Sequence, residues 1–279
     1  MSDMYTDNMT RGSSEIERLE DQFEVFTQNI GYLLHPSITS LLPPAPRIAD
    51  VGTGTGAFLR LLSPMFPDAT LHGFDISAAL FPPEATLPPN LSLMVGDLKQ
   101  PFPEAMHGTY DVVHARLLVA AMLPDDWEPA VRNLSALLKP GGFLQWDECD
   151  FINSRHIRGR VDSRVESATA MGDAFREAMR ERFEHGWNDI PECMRAAGLT
   201  SVISDTVSSD RVSETRERLT ISIQRLVFTW ARLMAERGAP GSMTSDQLDL
   251  MEKDVEEDIK SGCYFRFDIH VACGRKPLH

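Results

Sequence analysis

Gly52, Gly54 and Gly56 stand two residues apart in Ile48-Ala-Asp-Val-Gly52-Thr-Gly54-Thr-Gly56-Ala-Phe58. Glycines so placed permit a tight turn and let a ligand approach the backbone closely. The turn follows an apolar run and precedes a helical one, so a helix N-terminus would offer free N–H groups and partial positive charge to a carboxylate or phosphate. Nineteen residues past Gly56 stands Asp75, an acid at the spacing that serves ribose hydroxyls. Asp97, in Gly96-Asp97-Leu98, is a second acid, suited to the exocyclic amine of an adenine. His114 closes a further apolar run. Together these residues describe one adenosine-shaped site with an anionic group at one end. Gly52-x-Gly54-x-x-Ala57 also satisfies a relaxed dinucleotide fingerprint, so the turn alone leaves a nicotinamide cofactor open.

Short apolar runs alternate with helical stretches to hold these residues. Strands are expected at Arg47–Val51, Thr70–Phe74 ending at Asp75, Leu91–Val95, Asp111–His114 and Phe143–Trp146, with Lys139-Pro140-Gly141-Gly142 as a turn. Helices are expected at Ala57–Leu62 and along the face Trp127, Val131, Leu134, Leu138. This rhythm predicts a mostly parallel sheet covered on both faces, with ligands beyond the carboxyl ends of the strands. Thr200–Val207 adds a sixth strand and Tyr264–Cys273 a last, long one. Two helical pieces fall outside the alternation. Residues 1–13 read as a disordered tail, followed by a helix with Ser14 and Glu17 as a capping box and apolar residues at 16, 19, 23, 26, 30 and 33. The second piece lies between the last two strands, at Leu219–Leu233 and Leu248–Ile259. Residues 37–209 would form the core and 262–279 its last strand; 1–36 and 210–261 would be tail, leader helix and cap.

The chain has 279 residues, 27 Lys+Arg against 41 Asp+Glu, and a net charge of −14. A nucleic-acid binder normally carries a basic stripe, and the charge runs here are acidic, as at Asp254–Asp258. No run approaches the roughly 18 apolar residues of a membrane span. Four cysteines without a Cys-x-x-Cys pair suggest neither zinc nor a disulfide framework, and a cytoplasmic setting follows as the expectation.

The ensemble resembles a class I S-adenosylmethionine-dependent methyltransferase. The resemblance rests on Asp50-Val-Gly52-Thr-Gly54-Thr-Gly56, Asp75, Asp97-Leu98, Tyr110-Asp-Val-Val-His114 and Leu138-Lys-Pro-Gly-Gly142. Phe81-Pro-Pro, Leu87-Pro-Pro-Asn-Leu91, His114-Ala-Arg-Leu-Leu118 and Gln145-Trp-Asp-Glu148 narrow it to fungal specialised-metabolite enzymes, including S-methyltransferases of gliotoxin-type dithiols. The resemblance implies an α/β fold: a doubly wound seven-stranded sheet, mostly parallel with the last strand antiparallel, under a helical cap. It implies S-adenosylmethionine as cofactor, with its methionine end on Gly52–Gly56 (Thr53 included) and Asp50, its ribose on Asp75, and its adenine framed by Ile76, Asp97 and Leu98. The acceptor would be a thiol or hydroxyl, or else a nitrogen, of a small metabolite.

His114 and Glu148, with Asp147, are the candidate bases beside the methyl group; otherwise His114 only packs against the cofactor. Arg116, Trp146, Phe26 and Tyr32 are candidate substrate contacts. Phe23, Phe175, Met179, Phe228, Trp230 and Met234 complete a possible apolar lid. Asp147, Glu148 and Asp150 alternate along an extended segment, so they face opposite ways and no metal is expected; His156 and His185 stand alone. Two other functions remain open: a cofactor-binding regulator that transfers nothing, and a nicotinamide-dependent oxidoreductase. Oligomeric state, and whether the leader covers its own site or a neighbour's, are not legible.

Overall fold

The structure, a computed structural model, describes residues 12–279. In chain order its elements are α1 (Ser13–Ile30), α2 (Pro36–Thr39), β1 (Arg47–Val51), α3 (Ala57–Leu62), β2 (Thr70–Asp75), β3 (Leu91–Val95), β4 (Tyr110–Arg116), α4 (Trp127–Leu137), β5 (Leu138–Cys149) and β6 (Arg155–Arg158). There follow α5 (Glu166–Ala178), α6 (Arg180–Phe183), α7 (Ile190–Ala196), β7 (Thr200–Ser208), α8 (Arg216–Glu236), α9 (Ser245–Lys260), β8 (Cys263–Arg266) and β9 (Asp268–Arg275).

Seven strands form one sheet in the order β3-β2-β1-β4-β5-β9-β7, and only β9 runs antiparallel to its neighbours. The order reverses between β1 and β4, which makes their carboxyl ends the crevice of this architecture. Strand residues alternate between faces. His114 and Arg116 face α3 and α1, where the Phe58 ring stacks on the imidazole at 3.7 Å and the Arg116 guanidinium lies 4.8 Å over Phe23. Trp146 faces the other side, against Trp127 of α4 at 5.5 Å.

Several expectations needed correction. Residues 1–11 of the expected tail lie outside the described residues, and Ser13 already belongs to α1. The Ser14/Glu17 capping box is not formed: Gly12 is the N-cap and makes no side-chain bond. The helix stops at Ile30 because Gly31 turns left-handed, φ 92°, and returns its N–H to Thr27. Lys139–Gly142 is not a separate turn. Gly141 donates to the Lys276 carbonyl and Lys276 to that of Gly142, so a distant segment keeps β5 continuous from Leu138. The last strand is broken at Phe267, whose N–H and C=O are taken by the Ser209 hydroxyl and N–H. β8 then pairs with β6 in a separate two-stranded sheet that the sequence did not reveal.

Candidate functional site

A cavity of about 200 Å³ lies over the reversal point between β1 and β4. Asp50, Gly52, Thr53, Gly54, Asp75, Ile76, Asp97, Leu98 and His114 all line it, so the structure gathers the expected cofactor residues onto one wall. Gly56 is the exception. It caps α3 with φ 73° and sits against Leu93 rather than the cavity.

The turn is held from beneath. Gly52 and Thr53 donate their N–H groups to the Phe74 carbonyl, Gly56 to that of Thr53, and Gly54 to Asp75 Oδ2 at 2.9 Å. These four donors are thus engaged within the protein. With six residues, α3 also contributes little dipole. These four turn donors therefore add no free N–H to the expected anion grip; what they provide is shape. A Cβ on Gly54 would meet nothing within 4 Å, whereas one on Gly52 would lie 2.5 Å from Leu118 Cδ2. Backbone therefore borders open space at Gly54 and supports a side chain at Gly52. Asp75 also accepts from Ser77 N–H, and Asp97 from Lys99 N–H. A carboxylate has about four lone-pair sites, so such anchoring orients the group while leaving it able to accept from a ligand hydroxyl or amine.

Asp50 and His114 are partners in the β1–β4 register, and Asp147 lies one strand further on. Imidazole Nδ1 is 2.7 Å from Asp50 Oδ1, and Nε2 is 3.4 Å from Asp147 Oδ2. Burial alone would lower the histidine pKa, but its hydrogen bonds to Asp147 and Asp50 outweigh that and raise it. The opposite balance holds at Asp147: burial pushes its pKa up, and the Arg116 charge and His114 bring it below the usual value. Arg116 donates from Nε and Nη2 to Asp147, and from Nη1 to Thr27 of α1. Asp50, His114, Asp147 and Arg116 thus form one buried chain of alternating charge.

The geometry revises the expected catalytic and substrate residues. His114 has both ring nitrogens turned to carboxylates and offers no lone pair to a substrate. Glu148 is fully buried on the other face of the sheet and does not line the cavity. Its Oε1 accepts from Leu118 N–H at 2.6 Å and from the Trp146 indole at 3.1 Å. Trp146 is buried with it, because Trp146 and Glu148 share the strand face opposite to Asp147. Phe26 packs on Phe267 at 5.4 Å, and Tyr32 donates to Asp205 of β7; neither reaches the cavity. Arg116 does line it, while fully engaged with Asp147 and Thr27. Of the expected lid aromatics only Phe23 is in the wall. Phe175 is spent against Phe183 and Trp230, and Met179 and Phe228 are buried away from the cavity.

Other wall residues were not singled out from the sequence. Arg18, Leu19 and Gln22 of α1 close the cavity, so the leader covers the site of its own chain. Leu117–Met122, after β4, form a continuous stretch of wall, joined by Phe58, Phe151 and Leu226. The apolar run Leu117-Leu-Val-Ala-Ala-Met122 was the available signal.

Residues 49–144 match a methyltransferase domain family. The chain is similar to methyltransferase grgD of Penicillium sp, with 31% identity over 95% of this chain and 94% of that one. It is also similar to N-methyltransferase tcpN of Claviceps purpurea (strain 20.1), with 27% identity over 96% of each chain. Among solved structures, the [4+2]-cyclase SpnF has a similar fold, with a TM-score of 0.51 and 16% identity over 94% of this chain and 95% of that one. Among the described residues no helix is long and apolar enough to cross a membrane.

Proposed function

The chain belongs to the class I S-adenosylmethionine-dependent methyltransferases, in the fungal gliotoxin-type group, with S-adenosylmethionine as its cofactor, and on that premise we propose that the cavity over β1 and β4 holds this cofactor and methylates a sulfur or nitrogen of a small specialised metabolite. The observation that carries the placement is the convergence of Asp50, Asp75 and Asp97, from three adjacent strand ends, on one cavity bordered by the Gly52–Gly54 turn.

When bound, the cofactor supplies a methyl group on a sulfonium, already a good leaving group. The chain's residues bind and orient. Asp75 takes the ribose hydroxyls. Asp97 takes the adenine amine, while Ile76, Leu80 and Leu98 provide apolar walls. Asp50, fixed by Thr53 at 2.6 Å and by His114, places a carboxylate at the methionine end. Leu19, Phe23, Phe151 and Leu226 wall the remaining space and exclude water from it. Such positioning can supply about 7–11 kcal/mol of barrier reduction.

The acceptor class follows from the bases. Among the described residues, His114, Asp147 and Glu148 are each engaged or turned away, leaving none of the expected bases to take a proton. That favours acceptors that are nucleophilic without help: a thiol, which ionises near pH 8.5, or an amine. The N-methyltransferase name of tcpN supports a nitrogen acceptor. Hydroxyl acceptors, which need a base more, are disfavoured.

Calorimetry with S-adenosylhomocysteine and with NAD tests the placement; NAD binding in place of S-adenosylhomocysteine sinks it. Mass spectrometry of reactions with thiol, amine and phenol panels then tests the acceptor. Phenols methylated at pH 7 as fast as thiols would disprove the base-free reading. The likeness to a cyclase supports a second reading, since one fold hosts many reactions: a protein that binds S-adenosylhomocysteine and methylates nothing on any panel.

A further inference from the structure

Glu148 has no place in the chemistry above, yet it is fully buried and its Oε2 has no hydrogen-bond partner among the described residues. Its Oε1 reaches the chain where β4 leaves the sheet. Leu117 turns there with φ 55°, a left-handed conformation that a branched side chain adopts at a cost. Its N–H goes to the Asp147 carbonyl, and the next N–H, of Leu118, goes to Glu148 at 2.6 Å. From that point Leu118 seats its side chain on the Gly52 turn.

We propose that Glu148 is a positioning residue of the cofactor cavity: its carboxylate holds Leu117–Val119 in their strained path, and so sets the seat of Leu118 against the glycine turn. A strained turn persists only where its surroundings over-determine it, and the Glu148 oxygen that accepts from Leu118 N–H supplies such a constraint. The loop's other ties act on carbonyls: Ala121 N–H donates to that of Leu118, Arg182 to that of Ala120 and Lys99 to that of Ala121. None of them takes the Leu118 N–H.

Among the described residues this carboxylate has no cationic partner. His270 holds the directly opposing position on β9, where burial lowers its pKa and keeps it neutral near pH 7. Cys149 is kept protonated by burial, Asp147 faces the other side, and Asp150 accepts from Asn153. Burial pushes the Glu148 pKa up to about 7, against the N–H groups of Leu118, Val119 and Cys149 and the Trp146 indole. The neutral acid still accepts at Oε1, so glutamine is the faithful mimic.

This inference rests on the cofactor placement proposed above, and Asp75→Ala serves as its independent control. Amide hydrogen exchange at Leu118 and calorimetric affinity for S-adenosylhomocysteine are measured in wild type, Glu148→Gln, Glu148→Asp and Glu148→Ala. Glu148→Gln keeps slow exchange at Leu118 and binds within about threefold of wild type, because the acceptor remains. Glu148→Asp, one methylene too short, and Glu148→Ala exchange faster at Leu118 and bind about tenfold or more weakly. Glu148→Ala is dispensable if it does not fold, since the aspartate and glutamine variants carry the comparison. Wild-type exchange and affinity in Glu148→Asp, beside impaired Asp75→Ala, overturn the proposal, as does a glutamine variant as impaired as the aspartate one. Full affinity in Asp75→Ala overturns the cofactor placement instead, and Leu118 exchange then still reads the anchor by itself.

Discussion

His114 Nδ1 lies 2.7 Å from Asp50 Oδ1, between two residues that are also register partners on β1 and β4. The contact ties up the most obvious candidate base and, with Asp147, raises its pKa. It also ties the cofactor wall to the leader helix, because the chain of charges runs on through Asp147 and Arg116 to Thr27.

Removing the imidazole takes one partner from two buried carboxylates, leaving Asp50 with Thr53 and Asp147 with Arg116. His114→Gln is expected to destabilise the fold by about 3–5 kcal/mol, the cost of breaking a buried ion pair from one side. The histidine pKa is raised in the folded state, so its contribution is fully present below about pH 6.5 and is lost as pH rises through the folded value. Urea unfolding of wild type and variant should show a gap that narrows at alkaline pH. A gap that widens there would contradict the raised histidine pKa.

Gly52 and Gly54 share a left-handed conformation, φ 77° and 55°, but differ in their surroundings. Both alanine substitutions carry a backbone cost of about 1 kcal/mol. Only Gly52→Ala adds a collision, with Leu118 Cδ2 at 2.5 Å. The expected order of thermal stability is wild type, then Gly54→Ala, then Gly52→Ala. For Gly54→Ala the larger effect falls on S-adenosylhomocysteine affinity, because its methyl group enters open space bordering the cavity. Equal melting temperatures for the two variants would count against the seat assigned to Leu118.

Asp75→Ala should weaken S-adenosylhomocysteine binding by about 1–3 kcal/mol, the range for hydrogen bonds to a charged group. It also releases the Gly54 N–H, so calorimetry should be paired with a melting curve of the free protein. Unchanged affinity would remove Asp75 from the site.

The Glu148 pKa is raised from 4.5 to about 7, mainly by burial. A raised acid binds its proton more tightly folded than unfolded, so stability falls as pH rises from about 4.5 to about 7. At 1.36 kcal/mol per pKa unit the loss is about 3 kcal/mol at most. Glu148→Gln should therefore gain stability relative to wild type across that window. A pH-independent difference in denaturant midpoint would show that the carboxyl titrates normally.

The core strands and the cofactor wall were legible because their signals are local. A buried strand is a short apolar run, and the glycine or acid at its end follows in sequence, as at Val51 before Gly52 and Phe74 before Asp75. The continuation of β5 back through residues 138–142 and the break at Phe267 were not legible. Their hydrogen bonds go to Lys276 and Ser209, segments far away along the chain. The substrate candidates Trp146, Phe26 and Tyr32 misled for a related reason: an aromatic residue reads the same whether it packs against α4, Phe267 or a ligand.

The sequence by itself determined the fold class, the glycine turn and the acids Asp50, Asp75 and Asp97, since strand alternation and turn chemistry depend on neighbours a few residues apart. Only the tertiary structure decided what those groups are free to do. Whether His114 can take a proton, or Glu148 can meet a substrate, depends on which face of the sheet each occupies and on which charges arrive from other strands. Electrostatic partnership is a property of distance in space, which the order of residues along the chain does not specify.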